Sequence, residues 1–145
     1  MRVTAKADYA VRAVIEIAAA GDEGCVTADA IAERQAIPRP FLIKILQQLR
    51  TGGLTEAVRG PDGGHRLARP AERISIADIL RIVEGPLADV HGVDPEDLEF
   101  PGAAAPMAGV WILLRRNVDA LLEGVSVRDV LNDTVAPRER ASVAS

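Results

Sequence analysis

The sequence predicts a mainly helical chain that carries one small β-hairpin and closes with a long helix. Three observations point there. Apolar residues recur at helical spacing in six stretches between residues 5 and 131. One block, 54–68, switches to short strand-like runs around a cluster of Gly, Pro and Asp. A late stretch then places Trp111, Leu114, Val118, Leu121 and Val125 at spacings of 3, 4, 3 and 4.

Thr4 suits the N-cap of a first helix, in which Tyr9, Ala10, Ala13, Val14 and Ile17 share one face. Gly21-Asp22-Glu23-Gly24 ends it. Thr27 caps a short second helix, 28–35, with Ala28, Ile31 and Ala32 on one stripe. After a tight turn at Ala36-Ile37, Pro38 opens a third helix that runs to residue 50. Its inner stripe is Phe41, Leu42, Ile45, Leu46 and Leu49, and Gly52-Gly53 stops it. Residues 54–59 and 65–68 are the strands of a hairpin whose tip is Gly60-Pro61-Asp62-Gly63-Gly64. Ser75, with Asp78 three residues on, caps a fourth helix that faces inward through Ile76, Ile79, Leu80 and Val83. Residues 87–106 form an acidic surface loop, 108–123 the long helix, and Ser126 caps a last short helix, 127–131. The expected division is a first domain over 1–85, a loop over 86–107, a dimerisation helix with its short successor over 108–135, and a flexible tail over 136–145.

Composition narrows the function. Of 145 residues 48% are hydrophobic, enough for a core without staples, and four aromatics (Tyr9, Phe41, Phe100, Trp111) leave Ile, Leu, Val and Ala to build it. The opening residues lack an apolar signal and no stretch is long enough to span a bilayer, so a cytoplasmic protein away from membranes is expected. Cys25 is the only cysteine, which excludes an intrachain disulfide and reads as a small buried side chain. With two histidines, His65 and His91, no nucleophile–base spacing, no phosphate loop and no metal motif, the sequence does not read as an enzyme. The net charge of −4 is uneven: residues 1–70 hold ten Lys/Arg against eight Asp/Glu, and 71–145 hold seven against thirteen. The basic side chains sit in the first half, where local field can favour phosphate.

Two helices joined by a short turn and followed by a hairpin make a winged helix-turn-helix. Its second helix enters a DNA major groove, and the residues near its start, Arg39, Pro40, Ile43 and Lys44, meet base edges. Arg or Lys suits guanine, Ile43 can touch a thymine methyl, and Gln47 lies one turn further out. On the wing, Arg59 precedes the glycine-rich tip and can enter a minor groove, while Gly60, Gly63 and Gly64 allow close backbone approach and His65 follows. Lys6 and Thr27, at the openings of the first two helices, complete the candidate DNA-facing set. The rival reading is a winged helix that serves as a protein-interaction module, which would not need cations on both helix and wing.

The segments 5–13, 31–37, 49–54, 58–70, 74–80 and 83–85 together resemble the Rrf-two family of winged-helix bacterial regulators, the IscR, NsrR and CymR type. The longest match is Val58-Arg59-Gly60-Pro61-Asp62-Gly63-Gly64-His65-Arg66-Leu67 with Ala68-Arg69-Pro70. The resemblance implies a repressor that is a homodimer joined along the long helix, here the Trp111–Leu114–Val118–Leu121–Val125 seam. It implies a palindromic operator in double-stranded DNA with one winged helix per half-site. It places base contacts on Arg39, Pro40, Ile43 and Lys44 and a minor-groove arginine on Arg59. Several members carry glutamate where this chain has Ile43, so a different operator is expected.

Cluster-binding members carry three cysteines in the loop before the long helix; this chain has none there, so no iron–sulfur cluster and no other cofactor is expected. Asp8 falls where some members supply a carboxylate ligand. In the loop, His91, Asp94, Glu96, Asp97 and Glu99 read as solvated surface, with a divalent-metal site as the competing reading. A small-molecule or protein effector is left open.

Overall fold

The computed structural model describes residues 2–135. Six α-helices and one hairpin follow in the order α1 (Ala5–Ala19), α2 (Ala28–Gln35), α3 (Arg39–Thr51), β1 (Thr55–Val58), β2 (Gly64–Leu67), α4 (Ile76–Glu84), α5 (Met107–Glu123) and α6 (Val127–Leu131). The caps are those the sequence signals: Thr4 Oγ1 accepts from Ala7 N and Thr27 Oγ1 from Ala30 N, both at 3.1 Å. Pro38 is the N-cap of α3, and the helix begins at Arg39 with Pro40 in its first turn, where a missing N–H costs nothing. Ser75 and Asp78 close a full capping box on α4, and Ser126 and Asp129 close another on α6.

One core serves the whole fold. Ala10, Ala13, Val14 and Ile17 of α1 meet Ile31 of α2, Leu42, Ile45 and Leu49 of α3, and Ile79 of α4. Phe41 departs from the expected inner stripe. It sits at the stripe's edge, 47% exposed, and meets Tyr9 in a T-shaped contact at 5.8 Å and 85°. The hairpin pairs antiparallel with Thr55 opposite Leu67 and Val58 opposite Gly64. A third strand segment joins it: Val26 N donates to His65 O at 3.0 Å, and His65 N donates to Val26 O at 2.7 Å. The wing is therefore tied to the residue that precedes the cap of α2.

The last short helix belongs with the first domain, not with the long helix before it. Val127 of α6 is 0% exposed within the same core, its N–H donates to Ile74 O at 2.8 Å, and Ile76 N donates to Val125 O at 2.9 Å. Residues 86–106 are more ordered than an irregular loop. Val90 and Val93 exchange backbone hydrogen bonds across a turn with His91 and Gly92 at positive φ, and 3₁₀ turns follow at Pro95–Asp97 and Gly102–Ala104. The expected tail, 136–145, lies outside the described residues.

Candidate nucleic-acid interface

The outer face of α3 is built by the same periodicity that buries its inner face. With Leu42, Ile45, Leu46 and Leu49 packed inward, Arg39, Pro40, Ile43, Lys44 and Gln47 all fall on the exposed side. Lys6, at the start of α1, lines a groove of about 510 Å³ with Pro40, Phe41, Lys44 and Gln47. The first turn of α1 and the outer face of α3 thus form one surface. Thr27 is exposed at the opening of α2, where its hydroxyl oxygen caps the helix and its O–H remains a donor.

On the wing Arg59 and Gly60 are exposed at the start of the tip. Gly63 and Gly64 have structural reasons to be glycine. A Cβ on Gly63 would stand 2.2 Å from Val58 O, and one on Gly64 2.5 Å from Val26 O. Close backbone approach is real here, but the partner is the protein's own chain. His65, also expected among the DNA contacts, follows on β2. It is half-buried, with Nδ1 lacking a hydrogen-bond partner among the described residues. Burial, and after it the positive charge of Arg50, hold its imidazole below the usual histidine range. Cys25 sits at the wing's root, half-buried, and its thiol donates to Asp62 O at 3.0 Å.

Ion pairing separates the cations into two groups. Beyond residue 74 of the described chain each arginine faces a carboxylate: Arg81 with Asp119 at 3.1 Å, Arg115 with Asp94 at 2.7 Å, Arg116 with Glu96 at 3.2 Å and Arg128 with Glu72 at 3.6 Å. Arg115 and a backbone hydrogen bond from Glu96 hold the Asp94 carboxyl below its ordinary range, the backbone bond being the larger cause. Among the described residues Arg2, Lys6, Lys44, Arg50, Arg59 and Arg73 have no carboxylate at ion-pair distance. The cations left without a carboxylate partner include the start of α1, the outer face of α3 and the wing, which are the elements a winged helix lays on DNA. Arg39 is the exception on α3, since its Nε donates to Asp29. Sequence reasoning missed Asp29; an acidic residue ten positions before a cation gives no periodic signal.

The expected seam on α5 splits. Leu114 and Leu121 are exposed, but Trp111 and Val118 are half-buried, and Val118 lines a small cavity with Ala7, Leu80 and Leu122 of its own chain. Val125 lies beyond the helix end at Gly124 and pairs with Ile76. The row that faces solvent is Met107, Val110, Leu114, Asn117 and Leu121, also spaced 3, 4, 3 and 4, with Leu113 beside it at 60% exposure. No α5 residue is fully buried.

The family model described as "Rrf2: Iron-dependent Transcriptional regulator" matches residues 3–133. A Mycobacterium tuberculosis (strain H37Rv) protein, described as a candidate HTH-type transcriptional regulator, is 44% identical over 130 residues, covering 90% of this chain and 81% of that one. The HTH-type transcriptional regulator IscR of Cereibacter sphaeroides is 32% identical, over 94% of this chain and 91% of that one. Among solved structures, T. potens IscR superposes with a TM-score of 0.76 at 31% identity, over 93% and 89% of the two chains. CymR of B. subtilis, titled as the global cysteine regulator, superposes at 0.78 with 27% identity, over 93% and 99%. These relatives are named as transcriptional regulators, not enzymes. With the helix pair, the wing and their unpaired cations in place, and a match that runs from residue 3 to residue 133, the chain belongs to the Rrf2 family of DNA-binding transcriptional regulators.

Proposed function

We propose that the chain is a cytoplasmic repressor that binds a palindromic operator as a homodimer, one winged helix on each half-site. The observation that carries this reading is the set of unpaired cations, Lys6, Lys44 and Arg59, on the surfaces a winged helix presents to DNA. Phosphate contacts would position the domain and the start of α3 would read bases. Support for a second copy is the exposed apolar row on α5, which a monomer would leave in water. Occupying an operator needs only a reader and a pairing surface, and repression is the regulatory act that asks for no further contact.

Iron appears in the family's description, and the donor set here does not fit a thiolate-held cluster. The single cysteine is at the wing's root, bonded to Asp62 O. Asp8 is paired with Arg12 at 3.0 Å, and that arginine also donates to Gln35 O and lies over the Tyr9 ring, which gives Asp8 a structural task. The loop's Asp94 and Glu96 are held by α5 arginines, and among the described residues no three His, Cys, Asp or Glu side chains converge as metal ligands. We infer control by a signal other than a thiolate-held cluster.

The test is binding to the DNA upstream of the protein's own coding sequence under a salt titration, together with in vitro transcription from it. A specific complex that weakens steeply with salt, and a transcript that falls as protein is added, support the reading. No binding at low salt would overturn it and leave the interaction-module alternative.

A further inference from the structure

Asp29, in the first turn of α2, meets Arg39, the first residue of α3, and its Oδ1 accepts the Nε–H of the guanidinium. Both side chains lie on the surface, 75% and 62% exposed. An exposed pair of this kind adds little to folding, so its position at the start of the recognition helix calls for another account. An arginine reads guanine O6 and N7 through two N–H donors. Its planar fork offers two such sets: both Nη groups end-on, or Nε with one Nη side-on. Asp29 occupies Nε, which removes the side-on set and leaves both Nη groups without a partner among the described residues. It also places a negative charge beside a cation that a phosphate would otherwise take.

The geometry points to Asp29 as a specificity-determining positioning residue that holds Arg39 for an end-on guanine contact and makes the same arginine a poor phosphate ligand. The inference rests on the DNA-binding reading of α3. It adds that one base read at the start of α3 is a guanine, and that an acidic side chain outside α3 enforces the choice.

The experiment uses the whole chain. Wild type, Asp29→Ala, Asp29→Asn and Arg39→Ala each select duplexes from a randomised library, and Kd is measured on the duplex selected by wild type and on a scrambled one. Wild type is expected to enrich a guanine that Arg39→Ala no longer prefers. Asp29→Ala is expected to lose preference at the same base pair, with the selected-to-scrambled affinity ratio falling about tenfold, the scale of one bidentate contact. Asp29→Asn retains an Nε acceptor without the charge, so it is expected to keep the guanine and gain affinity for the scrambled duplex. If Asp29→Ala keeps the guanine and gains affinity equally on both duplexes, Asp29 is a repelling charge only and the inference fails alone. If Asp29→Asn gains nothing on the scrambled duplex, the phosphate half fails, and this variant decides even where alanine weakens the fold. If wild type enriches no sequence, or Arg39→Ala leaves the motif unchanged, the reading of Arg39 itself falls and takes the inference with it.

Discussion

At Arg59 the guanidinium is exposed and has no carboxylate partner among the described residues, so no described carboxylate competes with DNA for it. Arg59→Ala should weaken operator binding by about 1–3 kcal/mol in a gel-shift or anisotropy titration. Unchanged affinity would take the wing out of the contact. His65 differs: its backbone serves the wing, and it is half-buried, with Nδ1 shielded from solvent. Its lowered pKa means that the unfolded chain takes up a proton more readily than the folded one. The stability tied to the neutral ring is complete above the unfolded value of 6.5 and is lost as pH falls through the lower folded value. The melting temperature should therefore drop below about pH 6.5, and His65→Gln should flatten that limb. A wild-type curve no steeper than the variant's would remove the ring from the pH response. Ile43 was legible from sequence as an outward residue among charged neighbours, because helical periodicity fixes its side. The half-burial of His65 was not, because strand alternation in a four-residue strand gives too short a pattern to orient one ring.

At the scale of elements, the caps and the core faces were legible because each rests on a local rule. Thr27, Ser75 and Ser126 announce helix starts, and Leu42, Ile45 and Leu49 announce an inner face. The face of α5 was not legible. Two heptad rows overlap on it, sharing Leu114 and Leu121, and only the packing of Val118 against α1 and α4 residues tells which row stays in water. Leu114→Asp and Leu121→Asp each place a carboxylate in the shared part of the row. They should weaken the dimer by about 2 kcal/mol or more in sedimentation equilibrium while leaving the fold intact, because both positions are exposed in one chain. Variants that still sediment as dimers would move the pairing surface off α5.

For the molecule as a whole, the sequence showed the order of elements but not how the chain returns on itself. Contacts between segments far apart in the chain, such as Ser75 with Ser126, leave no periodic trace. That return has a consequence for the DNA. Helix α5 is fastened to its own reading head along its second half, through the Arg81–Asp119 pair and the packing of Val118 beside Ala7 and Leu80, and just past its end through Val125 and Val127. These contacts oppose its swinging as a free arm. In the proposed dimer the two heads then behave as the jaws of a fixed calliper. Adding one base pair between half-sites moves the far site by about 3.4 Å and turns it by about 35° around the duplex. A jaw that cannot follow should lose most of its grip, whereas a hinged arm would absorb the step. Binding to operators with spacers lengthened by one base pair and then by a full turn of about ten measures this directly. Equal affinity for every spacer would mean the calliper has a hinge.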